Sequence, residues 1–358
     1  MRILFVTPDL SSNSLGRTLV LDQLAHHLGW STRVVSTRGE SIWKPLRGTQ
    51  FGSACELVSE GRTPNRIDEL VRRADLVIAV KPLDESLLVA SRVVGRVPRP
   101  LLLDIDDPDL SAALSLGQPL RAAYKWSRRP RAMLRLLRLQ RVAARVPVMV
   151  SNPVLHTHHG GVIVPHARVD QGWGLPHSTT SPAVAFVGTN RAHKGVAELR
   201  RAIEYVRQEH DYTLTVTDTP PADARPWERW VGNTTFDEGV KLVQKSDVVM
   251  LPSRDTPYVH GQLPVKLIDA MLAGRAIGVS GIAPLPWAVG DAALQLTPGS
   301  TQSIVDALRV FADPTVRASF GERARRRARE MFTISSVAPV FEAVVLHTVR
   351  EFTGKGES

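Results

Sequence analysis

The stretch DVVMLPSRDTPYVHGQLPVKLIDAMLAGRAIGV, residues 247–279, decides the fold. It opens on a short apolar run, 247–251, and closes on another, 276–279, both with the β-branched content of buried strands. Between them Pro264 stands at the first turn of a helix with apolar residues at 267, 268, 271 and 272, and Gly274 ends it. Strand, helix and strand in this order is the pattern of a parallel sheet covered by helices. The alternation extends outward. Upstream, strands are predicted at 183–187 and 214–217, and in the first half at 2–7, 33–36, 75–80, 101–105, 147–151 and 162–165. Downstream, helices are predicted near 302–311, 316–331 and 335–352. Residues 166–181, with Gly172, Gly174, Pro176 and a Ser-Thr-Thr-Ser run, carry neither period. The expected organisation is α/β, two Rossmann-like doubly wound domains: 1–167, a linker at 168–181, 182–334, and a C-terminal helix at 335–358 returning to the first domain. Open parallel sheets bind ligands beyond the carboxyl ends of their strands, so two of them are expected to face a central cleft.

The chain has 358 residues, 43% hydrophobic and 22% charged, which excludes disorder and suits two packed domains. Its formal charge of +10 is local. Residues 110–169 hold no Asp or Glu but ten Lys or Arg; removing these ten from 45 leaves 35, against 35 acids. A general argument for nucleic acid from the basic pI therefore fails, and one segment carries the excess. Cys55 is the single cysteine, so no internal disulfide can form, which agrees with a reducing compartment. No run of 18 uncharged apolar residues exists, and a cytoplasmic chain is expected, with the inner face of the membrane as a further site.

Three segments of the second half suit one ligand. After the strand at 183–187, Gly188 leads into a loop with Arg191 and Lys194, a guanidinium fork and a point charge that suit phosphate oxygens. Cations at a helix start oppose its dipole, so a solvated helix start is the plain alternative. The helix opened by Pro264 would present backbone N–H groups around Val265, Lys266 and Leu267 to an anion. Asp269, about one and a half turns on, can accept hydrogen bonds from ribose hydroxyls, although alone it also reads as a surface acid.

The run 264–279 resembles the signature helix and strand of group 1 (family 4) glycosyltransferases of the GT-B fold. Val187-Gly188 through Lys194-Gly195 is similar to that family's strand and Lys-Gly segment. Weaker similarity, in Val6-Thr7-Pro8, Ala74-Asp75-Leu76-Val77 and Ser246-Asp247, extends over nearly the whole chain. The resemblance implies that Arg191 and Lys194 hold the donor diphosphate and that backbone at Gln262, Leu263, Pro264 and Val265 touches donor sugar and phosphates. It also implies that Asp269 binds ribose and that Val231 and Gly232 meet the base. Two departures stand out: Gly261 replaces an acid eight residues before Asp269, and Asp269 replaces Glu. The first leaves the donor sugar's contacts to His260 or Asp255.

In the first half, Asp104-Ile105-Asp106-Asp107-Pro108-Asp109 ends a buried strand, where acids would face the cleft. The resembling family often has a His-Asp pair there, matched by Asp106 and Asp107. Either carboxylate could serve as a base if it comes within about 2.6–3.2 Å of an acceptor hydroxyl. Hard oxygen ligands at this spacing also suit Mg²⁺, and an aspartyl-phosphatase reading lacks the usual Thr or Val after the second Asp. The small-residue loop at 10–17 offers Gly16 and Arg17 to the donor, or is a plain helix start. His156, His158, His159 and His166 lack any Cys or neighbouring acid, a poor zinc set. Arg131, Arg135, Arg138, Arg141 and Arg145 recur at helical spacing beside Met133, Leu134 and Leu137. Such a basic amphipathic helix within 121–145 is an outer face or a contact with anionic lipid, and with Tyr124 and Trp126 less readily a nucleic-acid contact. The expected activity is transfer of a sugar from a UDP- or GDP-linked donor to a hydroxyl, lipid-linked or small and less readily DNA. Retention of configuration is implied by the resemblance, with no metal or cofactor besides the nucleotide sugar. A GT-B sugar-nucleotide epimerase and a non-catalytic nucleotide- or polyanion-binding protein are the alternatives.

Overall fold

The computed structural model describes residues 1–58, 66–110, 119–257 and 259–354, without the side chains of 119–122. The chain divides into two units: Met1–His166 together with the segment from Val337 onward, and Ala167–Ser336.

Unit 1 is built on seven parallel strands: β1 (Arg2–Val6), β2 (Ser31–Ser36), β3 (Cys55–Leu57), β4 (Leu76–Val80), β5 (Leu101–Ile105), β6 (Val148–Val150) and β7 (Val162–Ile163). Their order is β3-β2-β1-β4-β5-β6-β7. β4 is buried along its whole length, because helices cover both faces of a parallel sheet and leave no polar side. The direction of winding reverses between β1 and β4, which pair in parallel from Ile3↔Leu76 to Val6↔Ala79. That reversal opens the crevice where a doubly wound sheet takes ligands.

Unit 2 repeats the plan with β8 (Ala183–Phe186), β9 (Thr213–Val216), β10 (Glu228–Trp230), β11 (Val248–Leu251), β12 (Ala276–Ser280) and β13 (Leu294–Leu296). The order is β10-β9-β8-β11-β12-β13, with the reversal between β8 and β11. The helix Val265–Leu272 buries Leu267, Ile268, Ala270, Met271 and Leu272, the face its spacing marks. Gly274 follows at φ +65°, where an added Cβ would lie 2.4 Å from the Trp173 ring.

Three strands escape the periodicity argument: β3, β10 and β13. Each has three residues and lies at the edge of its sheet, and none carries a long apolar run. The segment expected as a linker packs on unit 2. Asp247 accepts hydrogen bonds from the backbone of Ser178 and Ala183, both at 2.7 Å, and Arg275 reaches the Leu175 carbonyl at 2.8 Å. Backbone groups of Arg168 join Phe332 and Ile334. The helix Ile334–Gly354 includes Phe341, whose ring stands 6.0 Å from that of Trp30 in unit 1. Among the described residues no helix is long and apolar enough to cross a membrane.

Candidate active site

The reversal in unit 2 brings together the loops after β8 and β11. Gly188 sits at φ +132°, its N–H bonded to the Thr217 hydroxyl at 2.6 Å. Gly195 turns at φ +72° into the helix Val196–Val206, so close to the β11 loop that an added Cβ would meet the Pro252 carbonyl oxygen at 1.9 Å. The Arg254 N–H donates to the His193 carbonyl at 2.9 Å, and the Arg254 guanidinium is held by buried Glu198. These contacts fix the short turn Ala192–Lys194 and leave Arg191 exposed, with no carboxylate partner among the described residues.

Lys266 is the side chain whose environment sequence reasoning missed. Its backbone was expected to serve an anion; its ammonium lies 4.6 Å from the centre of the Phe186 ring. A Cβ added at Gly188 would lie 2.4 Å from Nζ, so the glycine makes room for the lysine. No carboxylate among the described residues pairs with it. Burial, then repulsion from Lys194, lowers its proton affinity from an ordinary lysine's to about 7. The helix it begins has Pro264 at its N-cap and no side chain capping the first turn. Gly261 and Gln262 donate their N–H groups to Ala283 and Val259, and Leu267 donates to Pro264, so the helix end offers Leu263, Val265 and Lys266. Lys266, without a carboxylate partner among the described residues, stands beside Lys194 at an uncapped helix start, an arrangement that favours an anion.

Asp269 is largely buried and accepts from Arg168 Nε at 3.0 Å; the guanidinium stacks 4.2 Å from the Phe236 ring centre. Burial pushes its carboxyl up while Arg168 holds it down, and one carboxylate oxygen stays unused by this pair. Val231 and Gly232 follow β10 directly, but their N–H groups are spent on the Val216 and Asp218 carbonyls. His260 and Asp255, expected on a sugar, bond each other at 2.6 Å on an exposed loop.

In unit 1 the structure corrects the expectation for Arg17. With Gly16 it lies in the first turn of the helix Ser14–His27, and it is fully buried. Its Nε and Nη2 grip Asp104 at 2.7–3.2 Å, and its remaining donors reach the carbonyls of Val164 and Pro165 at 2.8 and 3.1 Å. A guanidinium so committed holds the sheet together and is withdrawn from a donor phosphate. The other acids gather round a residue that sequence reasoning passed over. Lys81 directly follows β4 at φ +67°, and its Nζ lies 3.0, 2.7 and 3.0 Å from Asp106, Asp107 and Asp109. His166 joins them, 3.9 Å from Asp106 and away from the helix Pro153–His159 that carries the other three histidines. Among the described residues no group of His, Cys, Asp and Glu has the arrangement of a metal site. The lone Lys at a strand end gave no signal by itself; only the adjacency of β4 and β5 puts it on the acids.

The family model for glycosyl transferases group 1 matches residues 181–313, the part of unit 2 that contains the cationic pocket. Within unit 2, residues 181–313 thus resemble a group 1 glycosyltransferase domain. Across both units the chain has the two-domain GT-B fold: it resembles Anabaena Alr3699/HepE, solved with UDP-glucose, at a TM-score of 0.72 and 14% identity, covering 97% of this chain and 100% of that one. An MMP alpha-(1->4)-mannosyltransferase of Mycolicibacterium hassiacum is 28% identical over 178 residues, 45% of this chain and 42% of that protein. A 2-deoxystreptamine glucosyltransferase of Streptomyces kanamyceticus is 28% identical over 162 residues, 41% of this chain and 40% of that protein. The matched part thus spans about two-fifths of each of these curated relatives.

Proposed function

We propose that this glycosyltransferase-fold protein moves a sugar from a nucleoside-diphosphate donor to a hydroxyl acceptor, with retention of configuration. One observation carries the reading: Lys266, desolvated and without an acid, beside Lys194 at the uncapped start of Val265–Leu272. A diphosphate there satisfies the helix end and the Lys266 ammonium beside Lys194, and its charge grows as the glycosidic bond breaks, so the same groups stabilise departure of the nucleoside diphosphate. Arg191 adds a fork from the β8 loop, and Asp269, steadied by Arg168, turns its unused oxygen to the ribose. These side chains supply positive charge without a metal or cofactor. The UDP-glucose and UDP complexes of the Anabaena protein support a uridine donor. Unit 1, with its strand-end acids, is assigned to the acceptor.

A panel of UDP- and GDP-sugars read by thermal shift tests the donor, because a ligand of the folded state raises stability with the logarithm of its concentration over Kd. Arg191→Ala with Lys194→Ala should abolish both the shift and donor hydrolysis. An unchanged shift and turnover in the double variant refutes the site, and a product epimerised without any acceptor refutes the reaction class.

The helices Pro119–Arg128 and Pro130–Ala143 support a peripheral contact with anionic membrane at its cytoplasmic face. Tyr124 is 61%, Trp126 38% and Leu134 58% exposed. Around them Arg128, Arg129, Arg131, Arg138, Arg141 and Arg145 are exposed, while Arg135 pairs with Asp84. Apolar rings that enter an interface beside cations facing lipid phosphates suit such a surface, at about 1 kcal/mol per basic residue. Flotation with phosphatidylglycerol liposomes but not phosphatidylcholine liposomes is expected; equal behaviour with both refutes the contact.

A further inference from the structure

We propose that Lys81 is the positioning residue of the acceptor subsite in unit 1, holding the Asp107 carboxylate ionised and turned outward to accept a hydrogen bond from an acceptor hydroxyl. The inference rests on the glycosyl-transfer reading above and adds to it a residue outside the donor pocket.

Lys81 stands at a position that would ordinarily favour glycine. A left-handed conformation costs a residue with a Cβ roughly 1 kcal/mol or more, and such strain persists only where the surroundings over-determine it. Here they do: the Lys81 N–H donates to the Asp104 carbonyl at 2.8 Å, and its own carbonyl accepts from the Ser86 hydroxyl at 2.7 Å and the Leu83 N–H at 2.9 Å. A glycine would take the same turn without strain, so the turn alone does not account for a lysine. The side chain does. It is 6% exposed, and its ammonium meets three aspartates whose side-chain exposure is graded, 7% for Asp106, 25% for Asp107 and 40% for Asp109. Asp106 is sealed beneath, backed by His166, and Asp109 stands in solvent. Asp107 is the acid both gripped by the lysine and open on one side.

The charges that act on Asp107 from other elements are Lys81 after β4 and Arg17 on the helix Ser14–His27, while His166 after β7 faces Asp106. Arg17 is saturated by Asp104, so Lys81 balances Asp106, Asp107 and Asp109. Burial and the two neighbouring acids push the Asp107 carboxyl up to about 6, and Lys81 is the group that holds it from going higher. The place fits the role as well: the end of β4 lies at the winding reversal beside β1, where a doubly wound sheet presents its ligand-facing loops.

The test uses the full-length protein. Carboxyl ¹³C NMR, with Asp107→Asn for assignment, follows Asp107 through its titration in the wild type, in Lys81→Met and in Lys81→Arg. Loss of the ammonium should raise the midpoint by about one pH unit or more, and Lys81→Arg should restore it. In parallel, transfer is measured with methyl α-D-glucopyranoside and methyl α-D-mannopyranoside as acceptor probes. Lys81→Met should raise the acceptor KM about tenfold or more near neutral pH, while the donor KM and donor hydrolysis by water stay in place. A folded Lys81→Met protein with an unmoved Asp107 midpoint and an unchanged acceptor KM overturns the inference. So does a wild type that hydrolyses donor but is indifferent to both glycosides. If Lys81→Met does not fold, Asp107→Asn decides: an acceptor KM that stays at the wild-type value overturns it. A wild type that neither binds nor hydrolyses any sugar nucleotide refutes the glycosyl-transfer reading instead, and the titration still reports whether Lys81 governs Asp107.

Discussion

Replacing Lys266 by methionine shortens the side chain by one atom and removes its charge, which isolates the role of the desolvated ammonium. In the unliganded protein that ammonium holds its proton only up to about pH 7, against 10.5 for an ordinary lysine. The difference corresponds to a bias against the charged form of a few kcal/mol, roughly 3–5. The sign follows from linkage. A lysine whose folded-state affinity is depressed binds fewer protons than the unfolded chain between about 7 and 10.5, so the native protein gains stability as pH rises through that window. Lys266→Met should flatten this rise and make the unliganded protein more stable below about pH 7. Diphosphate reverses the bias, because an anion at the helix start favours the protonated form. At about pH 8 roughly nine in ten molecules hold Lys266 neutral, so binding of UDP should take up close to one proton, and Kd should rise about tenfold per pH unit above 7. Titration calorimetry in two buffers of different ionisation enthalpy measures the uptake directly. In Lys266→Met the uptake should vanish, and UDP affinity at about pH 6.5 should fall some 10–100-fold, the loss of one charge-assisted hydrogen bond. A variant that still takes up a proton and binds UDP as tightly as the wild type would falsify the assignment of this lysine to the diphosphate.

Gly188→Ala brings a Cβ to 2.4 Å from Lys266 Nζ at a φ of +132°; the protein should stay folded but lose about 1–3 kcal/mol, with weakened UDP binding, as read by thermal melts with and without nucleotide. Gly195→Ala, whose Cβ meets the Pro252 carbonyl at 1.9 Å, pushes backbone against backbone and should destabilise unit 2 more than Gly188→Ala does; equal melting temperatures would show that the two loops yield. Arg17→Met strands Asp104 without its partner in the core of unit 1 and should cost about 3–5 kcal/mol in a denaturant titration, whereas a loss below about 1 kcal/mol would mean that Asp104 finds another donor.

Chemical periodicity made most of the architecture legible. Long apolar strands such as β4 and β5 and the Pro-to-Gly helix Val265–Leu272 announce themselves, because burial on both faces or on one stripe leaves a local pattern. The edge strands β3, β10 and β13 leave none, since three residues at a sheet edge need no apolar run. The candidate donor site divides in the same way. Arg191, Lys194, the helix opened by Pro264 and Asp269 lie at strand ends and helix starts that local pattern marks. The desolvation of Lys266 depends on Phe186 and Gly188, nearly eighty residues away in sequence, and was invisible there.

By itself the amino-acid order determined that this chain winds two parallel sheets and sets cations before a helix in its second half, because strand, helix and turn preferences act over a few neighbouring residues. Pairing was left to three dimensions. Arg17 belongs to Asp104 and not to a ligand, and Lys81 gathers Asp106, Asp107 and Asp109, only because β4 lies against β5 and the first helix packs over them. Charges separated by 26 or 87 residues acquire one another's company through sheet order, and with it their proton affinities and the roles open to them.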